Sequence, residues 1–463
     1  MSQMWKRFGF KDTPYRVTPL EPTEEDAELF TGRQQESARF LTLMDTSDGC
    51  VVVVSGEGGI GKTSFINVHQ HWMITAQAGL TPRLLLSREF AKIASGDDER
   101  SLAQKTVRST IGNAIAEFKR RDTKIPRQIK QIEGWLSHKP STTGLDIGLQ
   151  ILGVGGHIAR AVSLPPVAET TLESWQEILS VITTECLDKL EVDGVIVCLD
   201  NAEVLSPERL CRIMMAFRDT LFVTKKIWWI LCGQSQLYNV LDAHDRRISQ
   251  RIRGPGVEIP PMTEKELYEL VERRIKRYRS SSEATCPLSE QIHGRLFRAS
   301  RGVARFVLHT GDLLVNELVT DVRQSVQEKI GNRRIVPQLL EKLLDEKLNE
   351  ILFERRIPDE VAERKLAQMS AGMLAGKGLS ENEIASVALV GDRDVTDEQY
   401  SEFGVSSAQL FRESFLEKMT GYGLLQRRSI HHQERFRLRD FAYLCNDLKA
   451  FDQAKKEAAR RGD

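Results

Sequence analysis

Four glycines, a lysine and a threonine follow a run of four valines early in the chain. Residues 55–64 read SGEGGIGKTS, directly after Val51–Val54. This spacing matches GxxxxGK[ST] between a strand and a helix. Glycines let backbone N–H groups turn inward around a phosphate, and the start of a helix adds positive charge. The stretch predicts a cradle for nucleotide phosphates; the alternative is a glycine-rich turn with a chance lysine.

Each position of this loop has an expected task. Lys62 can reach the β- and γ-phosphates, and the Thr63 hydroxyl can hold Mg²⁺. The predicted nucleotide contacts along the loop are Gly56, Gly58, Gly59, Ile60, Gly61, Lys62, Thr63 and Ser64.

A carboxylate that could complete the metal site ends a second apolar run. In GVIVCLDNAEVL, Val195–Leu199 are apolar and Asp200 follows at the predicted strand end, where ligands bind in open α/β sheets. Asp200 is expected to hold Mg²⁺ together with Thr63. Asn201 cannot act as a base, whereas Glu203 could orient an attacking water. The alternative for Glu203 is a solvated acid favoured by a helix dipole.

A third apolar run, KIWWILCGQSQL, ends in polar residues. If its strand lies between the other two, a side chain at its end could sense the γ-phosphate. Gln234 is the predicted contact, Ser235 an equal competitor, and a simple turn the alternative.

Short apolar runs without alternation are typical of parallel strands covered on both faces. PRLLLS at 82–87 predicts one more strand, and residues 100–120 predict a helix. These elements together predict an α/β fold with a parallel-sheet core.

The composition is that of a globular protein whose net charge gives no overall attraction for polyanions. Hydrophobic residues make up 41% and charged residues 28%, while Lys+Arg and Asp+Glu both total 65. Any nucleic-acid surface must therefore be a local patch. Seven scattered cysteines indicate reduced thiols rather than a disulfide framework or zinc site. No apolar stretch approaches the roughly 18 residues that span a bilayer, so no membrane contact and a cytoplasmic location are expected.

With these motifs in this order, the chain resembles the AAA+/STAND branch of P-loop ATPases, over about residues 28–330. It is similar to the prokaryotic group of origin-recognition initiators, transposition-regulator ATPases and secretion-type ATPases. The resemblance implies ATP and Mg²⁺ as ligands. It also implies hydrolysis to ADP and phosphate, slowed because Asn201 stands where many relatives carry glutamate.

Four weaker stretches support the resemblance and imply further site residues. LFTGRQQESARFL is similar to the pre-strand box and implies that Gly32 and Arg33 lie near the adenine. VEIPPMTEKELYELVERRIKRY is similar to the last core strand entering the lid, and SRGVARFVLHTGDLL implies Arg305 over the γ-phosphate. LDAHDRRISQRI implies an arginine aimed at a neighbouring subunit's ATP. Arg251 is the best match for that arginine, with Arg246 and Arg247 as competitors.

The predicted domain plan has four parts. They are an N-terminal segment (1–27), an ATPase core (28–261) with an insertion (121–170), a helical lid (262–335) and a winged-helix-like domain with a basic tail (336–463). Within the insertion, alternating residues around a GVGG turn predict a β-hairpin at 145–165 that carries His157 and Arg160. Relatives use an insertion here to grip DNA; the alternative is a hairpin packed on its own core.

The C-terminal region predicts helices followed by a β-hairpin, which is the layout of a winged helix. GLSENEIASVAL has a serine N-cap with acidic residues in its first turn. The proposed wing is rich in basic side chains that suit phosphate contacts: Arg427, Arg428, His431, His432, Arg435, Arg437 and Arg439. Winged helices also dock proteins, so both uses stay open.

The preferred function is an ATP-controlled switch that forms oligomers and engages DNA or a DNA-handling partner. The alternative is a signalling scaffold, for example in antiviral defence, that assembles on ATP and controls a separate effector protein. A third reading is a binding module that holds nucleotide without turning it over.

Overall fold

The protein is described by a computed structural model over residues 5–6, 8–75, 83–137, 148–151, 160–163, 167–282, 284–329, 348, 378–391, 393–422, 424–430 and 433–438. The chain divides into two compact units. One is Thr18–Pro261, and the other combines Met1–Val17 with Met262–Asp463. The predicted N-terminal segment, 1–27, is therefore shared between the units rather than standing apart.

The Thr18–Pro261 unit alternates helices and strands. Its first half contains α1 (Glu24–Ala27), α2 (Gln34–Met44), β1 (Gly49–Gly56), α3 (Lys62–Thr75), β2 (Leu84–Leu85), β3 (Ala91–Lys92), α4 (Glu99–Arg120) and α5 (Arg127–Ser137). Its second half contains β4 (Gly148–Ile151), β5 (Arg160–Ser163), α6 (Leu172–Leu190), β6 (Gly194–Asp200), α7 (Pro207–Asp219), β7 (Ile227–Gly233), α8 (Leu237–His244), α9 (Arg246–Ser249) and β8 (Val257–Ile259).

Six of these strands form one parallel sheet in the order β2-β6-β7-β1-β8, with β3 also paired to β6. Strand β1 lies between β7 and β8, and β7 lies between β1 and β6. The predicted parallel core is confirmed, and so is the position of the third apolar strand between the two phosphate-binding ones.

The apolar runs form these strands because both faces of the sheet are covered. Val51–Val54 are each at most 2% exposed, and Val195–Leu199 are equally buried. The helices α4, α6 and α7 supply much of the core on one face, including Leu102, Trp175 and Phe217. Covered strands have no need of polar residues at alternate positions.

The second predicted strand, at 82–87, is shorter than expected. Only Leu84–Leu85 pair with β6, and a further strand, β3, rejoins β6 beside Leu199 and Asp200. Between β2 and β3, side-chain amide oxygens accept hydrogen bonds from the backbone N–H groups in place of a neighbouring strand. Gln70 Oε1 accepts from Ser87 N at 2.6 Å, and Asn113 Oδ1 accepts from the next two backbone N–H groups. Buried backbone donors need such partners when they leave a ladder.

The insertion contains the predicted β-hairpin. Strand β4 pairs antiparallel with β5, with Gly148 opposite Ser163 and Ile151 opposite Arg160. Arg160 therefore starts β5, while the connecting turn with His157 lies outside the described residues.

The first described residues of the chain pack with three helices of the second unit, α10 (Glu264–Tyr278), α11 (Glu290–Ser300) and α12 (Ala304–Lys329). Trp5, Phe10 and Tyr15 are buried in the same core as residues of these helices. The Trp5 indole donates to Asp312 Oδ1 at 3.0 Å. Arg274 Nη1 donates to the Arg16 carbonyl at 2.9 Å. This N-terminal segment thus shares one core with the three helices.

The described C-terminal part contains α13 (Glu381–Val390), α14 (Ala408–Phe411), α15 (Glu417–Gly421), β9 (Leu425–Ile430) and β10 (Gln433–Leu438). Ser380 caps α13 as predicted, because its side chain accepts from Glu383 N. Strands β9 and β10 pair antiparallel, which confirms the predicted hairpin, and Val395 bridges to Phe436. Apart from Leu348, the helices predicted over 336–377 lie outside the described residues. None of the described helices is long and apolar enough to cross a membrane.

Replacing Gly311 with alanine tests the packing of the N-terminal segment on α12. Alanine normally stabilises a helix relative to glycine by about 1 kcal/mol, but a Cβ at Gly311 would lie 2.4 Å from Tyr15 Cδ1. We expect Gly311→Ala to destabilise the second unit by about 1–3 kcal/mol in urea unfolding, because overpacking outweighs propensity.

Gly294→Ala is the matched control in α11. There the nearest atom to a new Cβ is Arg298 Nη1 at 3.6 Å, so this variant should be as stable as the parent or more stable. A Gly311→Ala protein that is stabilised like the control would contradict the described packing of Tyr15.

Candidate functional site

The loop of residues 56–61 joins the end of β1 to the start of α3. Gly59 and Gly61 have φ angles of 82° and 105°, a region that side chains other than glycine rarely adopt. A Cβ at Gly58 or at Gly61 would meet no atom within 4 Å. Packing therefore does not require glycine at these two positions, which fits a loop whose backbone borders an open cradle for phosphates.

Two contacts fix the ends of this loop. A Cβ at Gly56 would lie 2.8 Å from the Ile259 carbonyl of β8, so only glycine allows the two strands to approach so closely. Ile60 is buried, and its N–H donates to the Glu57 carbonyl at 3.3 Å. The loop is thus anchored by the buried Gly56 and Ile60, while Gly58 between them is exposed.

Lys62 begins α3 with its ammonium over the loop. Its Nζ donates to the Gly56 carbonyl at 2.7 Å and to the Glu57 carbonyl at 3.1 Å. Thr63 follows in the first turn of the helix. The positive end of that helix and the lysine charge therefore meet at the loop, as phosphate binding requires.

The charged residues predicted from separate stretches gather near the end of β7. Burial raises the pKa of the Cys232 thiol well above its ordinary value, and the neighbouring Cys198 and Asp200 raise it further. Lys62 lowers this pKa and Glu203 raises it. Because β7 pairs in parallel with both β1 and β6, the loop after β1 and Asp200 at the end of β6 lie at the same edge of the sheet. Lys62 contacts that loop through the Gly56 carbonyl.

The residues after Asp200 form a tight turn. Asn201 has a φ of 67°, and its N–H donates to Asp200 Oδ1 at 3.0 Å. Glu203 lies in the following 3₁₀ turn, Ala202–Val204, with an exposed side chain. The chain bends sharply at the end of β6. The Glu203 side chain stays exposed to solvent, where it could orient a water molecule.

The donor set fits Mg²⁺ bound together with phosphates. Among the residues that the structure describes, no group of three or more histidine, cysteine, aspartate or glutamate side chains could enclose a metal ion. Mg²⁺ commonly takes one or two protein oxygens and completes its shell with phosphates and water. The Thr63 hydroxyl and the Asp200 carboxylate are such oxygens.

Arg33 connects the start of α2 to the phosphate loop. Its backbone is left-handed, with φ at 67°, and its side chain is buried. The guanidinium donates to the Pro260 carbonyl and, at 3.4 Å, to the Ile60 carbonyl. These contacts show a role in holding the loop; its predicted place beside the adenine stays a prediction.

The Ser64 side chain hydrogen-bonds to the N-terminal segment rather than to the loop. Its Oγ accepts from Leu20 N at 3.0 Å, and Asn67 Nδ2 donates to the Leu20 carbonyl at 2.8 Å. A contact between Ser64 and a nucleotide would then use its backbone N–H. Leu20 belongs to no motif, so the sequence offered no signal for this clamp.

Gln234 and Ser235, the candidate γ-phosphate sensors, both have exposed side chains just after β7. The Gln234 carbonyl accepts from Leu237 N at 3.2 Å, which closes a turn into α8. Glu258 of β8 contacts this turn and was not predicted as a site residue. The sequence carried one weak signal for it, a lone acid between the apolar residues Val257 and Ile259.

The three arginine candidates for a neighbouring subunit differ in their contacts. Arg247 pairs with Asp245, Nη2 to Oδ2 at 2.6 Å, and its hydrogen bonds lower the pKa of Asp245 to about 2. Arg251 Nη2 donates to the Phe222 carbonyl at 2.5 Å. Arg246 is exposed, and its carbonyl accepts from Ser249 Oγ at 2.9 Å and from Gln250 N at 3.0 Å. Arg305, the predicted lid arginine, lies exposed in the first turn of α12, in the other unit.

A glycine loop between a buried parallel strand and a helix, with an aspartate ending a nearby strand, defines a P-loop NTPase. The profile of the Novel STAND NTPase 1 family, nSTAND1, matches residues 19–294. This match covers more than half of the chain, so the protein belongs to that family. It is a P-loop NTPase of the STAND kind.

Solved structures of similar layout are distant. The ORC2 protein of Aeropyrum pernix in ADPNP–ADP complexes is 14% identical, with a TM-score of 0.45 over 98% of this chain and 100% of that one. The Walker-type ATPase PABY2304 of Pyrococcus abyssi is 13% identical, with a TM-score of 0.45 over 94% and 100%. At this distance the two matches add nothing about function. No curated protein matches the chain.

Removing the Arg33 guanidinium should loosen the phosphate loop. Arg33→Met keeps the apolar stem of the side chain but removes the hydrogen bonds from the guanidinium to the Ile60 and Pro260 carbonyls. We therefore expect the free energy of unfolding, measured in urea, to fall by about 1–3 kcal/mol. Arg39→Met, at an exposed position of the same helix, is the control and should change stability little. Equal stability of the Arg33 and Arg39 variants would show that the buried contacts contribute nothing.

Proposed function

We propose that this protein is an ATP-controlled switch that engages DNA or a DNA-handling partner through its C-terminal unit. One observation carries the proposal. Lys62, which contacts the glycine loop after β1, and Asp200, which ends β6, lie at the same edge of the parallel sheet, in a chain that continues into lid helices and a hairpin-bearing domain.

The residues have distinct tasks in this proposal. The loop amides and Lys62 hold the β- and γ-phosphates, and Glu203 orients the attacking water. Thr63 and Asp200 would hold Mg²⁺, which when bound neutralises charge on the phosphate oxygens. Arg305 adds positive charge from the lid.

Oligomer formation would supply a further charge. An arginine of a neighbouring copy, Arg251 with Arg246 and Arg247 as alternatives, would reach the γ-phosphate. Turnover should be slow because Asn201 provides no second carboxylate after Asp200. Slow turnover suits a switch, which must keep its ATP state long enough to be sensed.

The order of the C-terminal elements supports a winged helix. Helix α13, the Val395 bridge, α14 with α15, and the β9–β10 hairpin follow one another in that layout. Arg427 of β9 is exposed and lies opposite Phe436 in the hairpin. His431, His432 and Arg439 lie outside the described residues, and the side chains of Arg428 and Arg437 do as well. A basic wing would bind the phosphate backbone without reading sequence.

A different observation favours a protein partner as the second candidate. The α14–α15 segment, which takes the place of a recognition helix, carries two cations and two exposed acids, Glu413 and Glu417. Both cations are already paired, Arg412 with Asp397 at 3.3 Å and Lys418 with Glu383 at 2.5 Å. DNA affinity depends on cations that replace counterions. In this candidate the protein assembles on ATP and controls a separate effector.

The salt dependence of DNA affinity separates the two candidates. With duplex DNA and a non-hydrolysable ATP analogue, a DNA-binding switch shows log K falling as log salt rises, and replacing ATP analogue with ADP changes K. Arg427→Ala should lower the slope by about one. Arg393→Ala, which removes an exposed cation of the same unit outside the hairpin, is the control and should leave the slope unchanged. Absent or salt-independent binding would exclude DNA and leave the protein partner.

A further inference from the structure

The Glu258 carboxylate joins three elements at the edge of the sheet. Glu258 lies on β8 in register with Ser55, the residue that precedes the phosphate loop on β1. Its Oε2 accepts a hydrogen bond from the Ser55 hydroxyl. The same oxygen accepts from the Gln236 N–H, at 3.2 Å, in the turn after β7.

The Glu258 carboxylate joins the turn after β7 to strand β8. Gln236 has a left-handed backbone with φ at 68° and stands at the N-cap of α8 without a side-chain cap. Its N–H is one of the donors that a helix start leaves without an internal partner. An acid near this end of a helix is also favoured by the helix dipole.

Packing fixes the other side of the turn. A Cβ at Gly233 would lie 2.7 Å from Leu237 Cδ2, so the chain folds back closely onto α8. Gln234 and Ser235 project from this turn with exposed side chains. Their positions relative to the phosphate loop are therefore set by Leu237 on one side and by Glu258 on the other.

We propose that Glu258 is a positioning residue that fixes the Gln234–Gln236 turn against the phosphate-loop strand and so sets the preference for ATP over ADP. The inference rests on the proposed function, since it assumes that the loop binds a triphosphate. Because one oxygen of Glu258 binds both Ser55 and the turn, it keeps the candidate sensors at a constant distance from the loop. ADP lacks the phosphate that these sensors would contact, so its binding should depend little on Glu258.

The experiment compares the affinities of the full-length protein for MgADP and for a non-hydrolysable MgATP analogue. We expect Glu258→Ala to reduce the ATP-to-ADP affinity ratio by about fivefold to tenfold, the effect of losing a well-placed hydrogen bond. The Kd for ADP should change less than about twofold on the same reasoning. Glu173→Ala, which removes an exposed acid from the first turn of α6, is the control and should leave the ratio unchanged.

Glu258→Gln separates positioning from charge. Its amide oxygen can accept both hydrogen bonds without the negative charge, so it should restore the ratio of the parent protein. The inference alone would be overturned if Glu258→Gln did not have the affinity ratio of the parent protein. It would also be overturned if Glu258→Ala left the ratio unchanged, or if it lowered the affinities for ATP analogue and ADP equally. A parent protein that binds neither nucleotide would overturn the proposed function and this inference with it.

Discussion

The buried parallel pairing of β1 between β7 and β8 is the constraint on which the site depends. It places Ser55 beside Gly233 on one side and beside Glu258 on the other. The carboxyl ends of parallel strands share one edge of a sheet, so the phosphate loop, the turn after β7 and Asp200 of β6 meet there. Lys62 completes the group because α3 starts directly after the loop. The valines of β1 thus serve the chemistry indirectly, by fixing where the loop begins.

The N-terminal residues take part in both units. Leu20 is hydrogen-bonded to Ser64 and Asn67 of α3 in the first unit, whereas Trp5 and Tyr15 are buried with helices α10–α12 of the second. The chain therefore passes between the units twice, after Val17 and again after Pro261.

The sequence predicted the parts of the site that are coded by local pattern. The phosphate loop, the strand ending in Asp200 and the apolar strand before Gln234 have signatures in residue type and spacing, and the structure places all three in one sheet. The C-terminal hairpin and the Ser380 cap were predictable for the same reason. Contacts between distant segments had no such signature. Leu20 with Ser64, Glu258 with Gln236, and the side-chain amides that divide the second strand into β2 and β3 depend on the folded geometry. The predicted nucleotide contacts of Arg33, Arg251 and Arg305 were implied by resemblance alone. The contacts of these arginines within the described residues neither require nor oppose those roles.

The most direct test is the affinity of the Lys62→Ala variant for a fluorescent ATP analogue with Mg²⁺. If the loop and this ammonium hold a triphosphate, loss of a charge-assisted contact should raise Kd about tenfold or more. Lys105→Ala provides the control, because Lys105 pairs with Asp97 at 2.7 Å on α4 and belongs to no predicted site. The account predicts weak binding for the first variant and parental binding for the second. A Lys62→Ala protein that binds the analogue as tightly as the parent would contradict it.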